Sequence, residues 1–325
     1  MAEKKILLSG IKPTGRPHLG NYFGAMRQFV DMQETYRSFV MIADYHALTS
    51  MHDPQALRKS ILDVMIDYLA IGLDPEKCVI FKQSDVPEHT ELTWIFNCIT
   101  TVPYLMRAHA YKDALAKNKE VDAGTFDYPM LMATDILFYN PDVVPVGADQ
   151  KQHVEFARDT AEKFNHIYGD TFKIPEVLIQ PDVGVIPGLD GQKMSKSYNN
   201  TIGLFAEYDE IKKAIMKIPT DSRSIHEPKD KTAVLYVLHK LISEPAVFEK
   251  IEKAYSGGGM GYQDIKHMLI ESMEKFIAPF REKRKAIAAD EKHVLTTLQE
   301  GGKRARLVAT PKMQEIRMKV GVALY

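Results

Sequence analysis

Residues 4–25, KKILLSGIKPTGRPHLGNYFGA, decide the fold. The apolar run Ile6, Leu7, Leu8 ends at Gly10, as a short buried strand does. Gly10 and Gly15 loosen the following turn, and Pro17 stiffens it. His18 to Asn21 lead into a helix-patterned stretch with Tyr22, Phe23, Met26, Phe29 and Val30 on one face. The next apolar run, SFVMIAD at 38–44, shows no polar alternation, which is how a parallel strand covered on both faces reads. Strand, helix and strand make one βαβ unit.

Outward from that unit the alternation continues. Asp53 followed by Pro54 is a helix start, the apolar positions Leu57, Ile61, Leu62, Met65 and Leu69 carry the helix on, and Gly72 stops it. CVIFKQ (78–83) reads as a third strand and DVVPVG (142–147) as a further one, followed by the helix ADQKQHVEFARDTAEKF. From about residue 201 only helical patterns remain, and SGGGMG (256–261) reads as a flexible connection between helices, because no strand precedes it. The fold class expected is α/β: a Rossmann-like, doubly wound parallel sheet over residues 1–200, with an all-helical C-terminal domain over 201–325 whose last helix packs back on the first domain.

Composition narrows the classes. The chain has 325 residues, 45% of them apolar, enough for one large and one smaller domain. A net charge of −1 gives no global basic field, although a local basic face can still bind a polyanion. Cys78 and Cys98 are the only cysteines, without CxxC spacing, so neither a disulfide framework nor a cysteine metal site is indicated. The apolar start is too short for a signal-peptide core, and no run of about eighteen apolar residues could span a membrane. A cytoplasmic protein is expected.

Two polar segments are candidates for chemistry. In open α/β sheets ligands bind beyond the carboxyl ends of the strands, where a helix N-terminus offers free N–H groups to an anion, so His18 and Asn21 would face a ligand there. Taken alone, His18 reads equally as a capping or core residue. The segment DGQKMSKSYNN (190–200), taken alone, reads as a solvated loop.

Together they say more. HLGN (18–21) after the first strand and KMSKS (193–197) after a glycine turn form the paired signature of class I aminoacyl-tRNA synthetases, and the chain resembles that family. The resemblance implies an enzyme that activates an amino acid with ATP, magnesium accompanying the triphosphate, with no dedicated protein metal site. His18, Asn21, Lys193 and Lys196 would be catalytic. Lys12, Pro13, Thr14, Gly20, Asn21, Gly147, Ala148, Asp149, Ile186, Lys193, Met194, Ser195, Lys196 and Ser197 would contact ATP. Lysine suits a moving phosphate, since its compact charge sits on a flexible stem. No side-chain nucleophile is needed, because the amino acid's carboxylate attacks the α-phosphorus and the protein supplies alignment and charge neutralisation.

DYPMLMATDILFYN (127–140) and VPVGADQKQHVEFARD (144–159) closely resemble segments of tryptophanyl-tRNA synthetases, and EGGKRARLVATPKMQEIRMKVG (300–321) is similar to that family's final helix. By that likeness Asp135 would accept the indole N–H, Tyr128 and Gln150 would hold the ammonium group, and Met132 and His46 would line the pocket. An anionic acceptor in an apolar pocket rejects rings that lack the donor. Read without the likeness, Asp135 could be a cap or an ion-pair partner and Met132 plain core.

The helical domain would read the anticodon of tRNA(Trp), with REKRK (281–285) and KRAR (303–306) as candidate phosphate contacts, although such helix-borne charge runs more often are solvated faces. A homodimer is implied, with no DNA or membrane partner. The chain departs from the common pattern at Lys12, where many bacterial members have Gln, and at Ala148, where many have Glu. The absence of cysteine after Cys98 excludes the iron–sulfur cluster of some relatives. The alternatives are a tyrosyl-tRNA synthetase, another nucleotidyl transferase, and a non-catalytic synthetase-like binder of tryptophan or tRNA. PMLMATDILFYN lacks the glutamine-before-aspartate pattern that tyrosine enzymes tend to have on this helix.

Overall fold

The structure, a computed structural model, describes residues 4–117, 120–146, 151–179 and 186–324. Five strands, β1 (Ile6–Ile11), β2 (Arg37–Ile42), β3 (Val79–Lys82), β4 (Val143–Val146) and β5 (Glu176–Ile179), form one sheet in the order β3-β2-β1-β4-β5. All four pairings are parallel, with Leu8 opposite Phe39, Phe39 opposite Val79 and Val143 opposite Glu176. This is the α/β class the alternation predicts. The strand β5 was not anticipated: its four residues, EVLI, are too few to show a period, and only the parallel pairing to β4 marks them as a strand.

Local signals at the first long helix hold. Asp53 accepts from the N–H groups of Gln55 (2.8 Å) and Ala56 (3.2 Å), and Gly72 ends the helix Pro54–Ile71 at φ 109°, a left-handed conformation that glycine adopts without penalty. The helix expected from residue 21 is less regular. Leu19–Asn21 is one α turn, Tyr22–Met26 is π-helical, and Arg27–Met32 is α again. Such π turns accompany functional positions often enough to single out HLGN.

Packing divides the chain into two compact units that interleave along the sequence. The first comprises Met1–Gly15, Phe29–Pro181 and Asp290–Tyr325. It contains the sheet, and its core gathers Phe39, Phe81, Phe96, Leu137, Phe138, Tyr139 and Phe164. The helices Glu88–Ile99, Ala123–Phe138 and Lys151–Tyr168 supply much of that core. The final helix, Glu291–Lys319, lies against β3 with Ala305, Ala309, Met313 and Ile316 fully buried. Arg306 bonds Glu88 (2.8 Å) and Arg317 bonds Glu91 (2.5 Å), tying it to the helix Glu88–Ile99.

The second unit comprises Arg16–Gln28 and Asp182–Ala289. Its helices are Tyr208–Met216, Val234–Ile242, Pro245–Gly257 and Tyr262–Ala288. Tyr22 and Phe23 pack on Phe276 of the longest helix, and Tyr22 also meets Phe280. Several residues of the basic runs prove to be internal ties. Arg281 is buried, donating to the Ala206 carbonyl (2.7 Å) and to Glu274 (2.5 Å), and Arg304 donates to the carbonyl of Pro75 (2.5 Å). Lys283 and Lys303 remain exposed, Lys303 paired with Glu300.

Candidate active site

In the first unit, one buried carboxylate organises a cluster of polar side chains. Asp135 sits on the helix Ala123–Phe138, capped by Asp122 through the Thr125 N–H (2.6 Å) and carrying Pro129 in its interior. Its carboxylate is almost wholly enclosed, yet well supplied with donors. Gln83 Nε2 donates to both oxygens (2.8 and 2.9 Å), His89 Nδ1 lies 2.5 Å from Oδ1, and His46 Nε2 lies 2.9 Å from Oδ2. Burial, the largest single influence, would raise the carboxyl pKa, but the hydrogen bonds from His46 and His89 hold it below the usual aspartate range. Asp135 is therefore an anion in a dry site.

The sheet places these partners. Gln83 follows β3 at its carboxyl end, and its Oε1 accepts from the N–H groups of Tyr45 (3.1 Å) and His46 (3.4 Å). His46 lies on the short helix Asp44–Ala47 just past β2, which Asp44 fastens to Ser84 through that residue's N–H (2.9 Å) and hydroxyl (2.5 Å). Tyr128, two turns before Asp135 on the same face of the helix, stands edge-on to His46 at 6.2 Å between ring centroids. Its hydroxyl lies 3.3 Å from His153 Nε2, and burial pushes its pKa up to about 12. Met132 is half-buried against the core. The structure thus brings Asp135, Tyr128 and His46 together, while Gln150 lies outside the described residues, as do Gly147, Ala148 and Asp149.

Lys12 also belongs to this unit. Its Nζ donates to Thr49 Oγ1 (2.9 Å), and burial lowers its pKa. Pro13 is buried and Thr14 exposed.

In the second unit the two motifs are packed together. His18 is 7% exposed, its N–H donates to Asn21 Oδ1 (3.1 Å), and Leu19 N–H reaches the Ile202 carbonyl (3.0 Å). Its ring Nδ1 is buried without a hydrogen-bond partner, and burial together with the charge of Lys196 pushes the ring pKa down to about 4. A neutral imidazole with an unused nitrogen is poised to bond a ligand. Gly20 permits the approach, because a Cβ there would meet the His18 ring at 3.0 Å and Met194 Cβ at 3.4 Å.

The KMSKS segment is a pinned turn. Gly188 N–H donates to the Gln192 carbonyl (2.7 Å) and Met194 N–H to that of Ile186 (3.0 Å). Asn200, almost fully buried, ties the segment from within: its Oδ1 accepts from Ser195 N–H (2.8 Å), and its Nδ2 donates to Asp190 (2.7 Å) and to the Lys193 carbonyl (3.2 Å). Ile186 and Met194 face inward, while Lys193, Lys196 and Ser197 are exposed. The turn therefore carries two exposed lysines on a fixed base.

Sequence reasoning missed Gln83, His89, Tyr139, His153, Thr49 and Asn200. Gln83 had a usable signal, a lone amide closing an apolar strand at its carboxyl end. His89, Tyr139, His153 and Thr49 are polar residues whose partners lie 25 to 50 residues away, and Asn200, at the end of its own segment, carries no period that separates a buried tie from a loop residue.

Comparison with known proteins follows the same lines. Residues 2–278 match the family described as tRNA synthetases class I (W and Y). A tryptophan–tRNA ligase of Rhodopirellula baltica is 49% identical over 97% of this chain and 99% of its own length. That of Fusobacterium nucleatum is 47% identical over 97% of each. The crystal structure of a tryptophanyl-tRNA synthetase from Campylobacter jejuni, complexed with ADP and tryptophan, superposes with a TM-score of 0.92 at 42% identity, covering 97% of this chain and 99% of that one.

Proposed function

The chain belongs to the class I tRNA synthetases of the tryptophan and tyrosine type, and from that premise we propose how its residues perform the reaction. It is a ligase that activates L-tryptophan with ATP, releasing pyrophosphate, and transfers the tryptophanyl group to the 3′ end of tRNA(Trp). The observation that most supports our assignment of residues is Asp135: a buried carboxylate kept ionised by hydrogen bonds from Gln83, His46 and His89. Indole offers one polar group, its N–H, and a buried anion is the strongest single acceptor for it. A ring without that donor would press against the buried anion without adding a hydrogen bond to it, which is the basis of discrimination without editing.

Tyr128 and Gln150 would hold the substrate ammonium, and His46 and Met132 would flank the ring. The adenosine would lie against Gly147, Ala148, Asp149 and Ile186, with Lys12, Pro13, Thr14 and Gly20 toward the phosphates. The tryptophan carboxylate attacks the α-phosphorus, and the bond to the leaving pyrophosphate breaks. His18 and Asn21 bond phosphate oxygens as charge develops, while Lys193 and Lys196, on the exposed face of their turn, neutralise the pyrophosphate. Magnesium would arrive with the triphosphate. Among the described residues no cluster of three or more His, Cys, Asp or Glu is placed to hold a metal.

Residues 1–200 would then form the catalytic domain and 201–325 the domain that reads the anticodon, in a cytoplasmic homodimer. No helix among the described residues is long and apolar enough to cross a membrane.

The test is amino-acid-dependent exchange of labelled pyrophosphate into ATP with each of the twenty amino acids. Exchange with tryptophan alone is expected; exchange driven by tyrosine would overturn the substrate, and none at all beside intact tryptophan binding would overturn the reaction.

A further inference from the structure

His89 takes no direct part in the chemistry above, and its surroundings give it a task. The ring is fully buried on the helix Glu88–Ile99, edge-on to Phe138 (centroids 5.2 Å apart) and flanked by Phe81 and Tyr139. Its Nδ1 meets Asp135 Oδ1 at 2.5 Å and its Nε2 meets the Tyr139 hydroxyl at 2.9 Å. Tyr139 is itself 1% exposed beside the charge of Asp135, and both influences keep its phenol protonated. That hydroxyl hydrogen needs an acceptor, and Nε2 is the one the described residues place within reach, so the imidazole proton resides on Nδ1 and points at Asp135.

The two oxygens of Asp135 thereby become unequal. Oδ1 is closed off by two fully buried donors, His89 and Gln83, and the Gln83 amide cannot turn over because Oε1 holds the N–H groups of Tyr45 and His46. On Oδ2 the added donor is His46, whose side chain is 12% exposed against 0% for His89. Rotation of the carboxylate would break the His89 bond in a buried interior, so one oxygen is held on the less buried side, beside His46.

We propose that His89, locked between Asp135 and Tyr139, is a positioning residue for ring selection, fixing Asp135 so that Oδ2 is the oxygen offered to the ring N–H. The inference rests on the reading that Asp135 accepts that N–H, and it adds that the selectivity is set by a residue buried behind the acceptor.

The experiment compares L-tryptophan with L-3-benzothienylalanine, in which sulfur replaces the ring N–H, in pyrophosphate exchange by the wild type, His89→Leu, His89→Asn and Tyr139→Phe. The wild type is expected to prefer tryptophan strongly. His89→Leu should lower kcat/KM for tryptophan by about 10- to 100-fold, the range for losing a hydrogen bond to a charged group, with little change for the sulfur analogue or in KM for ATP. His89→Asn, whose amide can donate near the place of Nδ1, should recover much of the preference. Tyr139→Phe removes one oxygen from an otherwise intact core and should reduce the preference by roughly 3- to 10-fold, the range for one net hydrogen bond, which keeps the question open to test if His89→Leu fails to fold. Equal losses on both amino acids and ATP in every variant, or an undiminished preference in Tyr139→Phe and His89→Leu, would overturn the proposal. A wild type that treats both amino acids alike would instead overturn the acceptor role of Asp135, and the inference with it.

Discussion

Replacing Gly301 by alanine should destabilise the protein, although helix propensity alone predicts the opposite. Gly301 lies inside the helix Glu291–Lys319, where alanine is favoured over glycine by about 1 kcal/mol. A Cβ at this position, however, would stand 1.7 Å from the Ile80 carbonyl oxygen and 2.7 Å from its carbon. The shortest separation real Cβ atoms tolerate is 3.0 Å, so helix and strand must part by 3.0 − 1.7 = 1.3 Å. The obstacle is the backbone of β3 and cannot rotate aside. Retreat would loosen the face made by Leu298, Ala305, Ala309, Met313 and Ile316. A radial gap near 1 Å forfeits a quarter to a half of each dispersion well, so overpacking should cost about 2–4 kcal/mol. After the helix gain of about 1 kcal/mol, a net loss of roughly 1–3 kcal/mol remains, or a fall in Tm of roughly 3–10 °C. The assay is thermal unfolding followed by circular dichroism, with Gly257→Ala as control, since a Cβ there meets nothing within 4 Å. If Gly301→Ala matched the control or raised Tm, the close packing of this helix on β3 would be refuted.

Asp135→Asn presents an amide N–H₂ to Gln83 or His89, both donors, and should lower kcat/KM for tryptophan by about 10- to 150-fold, with KM for ATP nearly unchanged; a matching rise in KM for ATP would place the residue outside the ring pocket. Lys196→Ala, at an exposed position, should leave Tm unaltered and tryptophan binding by equilibrium dialysis intact, while adenylate formation in single turnover falls by about 10²- to 10³-fold; a fall below fivefold would remove it from the phosphate site. Burial pushes the His239 pKa from 6.5 down to about 4, despite its bond to the Ile265 carbonyl, and burial with the charge of Lys196 does the same to His18. The unfolded chain then binds protons that the folded one refuses, so stability is full above pH 6.5 and drains as the pH falls toward about 4. Urea unfolding at stepped pH should show that slope, shallower in His239→Gln; an unchanged slope in the variant would remove His239 as its cause.

What the sequence determined by itself is local. Period and punctuation mark β1, β2, β3 and β4, Asp53 and Gly72 bound their helix, and HLGN with KMSKS reveals the chemistry, because each is encoded by residues within a turn or two of one another. Asp135 was legible only through likeness to a family, since nothing in its own neighbourhood tells a ring acceptor from an ion pair. The tertiary structure decided the rest. Gln83 and His89 converge on Asp135 from 52 and 46 residues away, Arg306 reaches Glu88 across 218, and Asn200 acquires its role by bonding a turn that bends back over it. Arg281, which read as a solvent or phosphate contact, is instead buried against the Ala206 carbonyl and the Glu274 carboxylate, while Arg304 bonds the Pro75 carbonyl from an exposed position. A side chain's spacing shows which face it takes, whereas its partner is chosen by packing, and long-range packing leaves no period in the sequence.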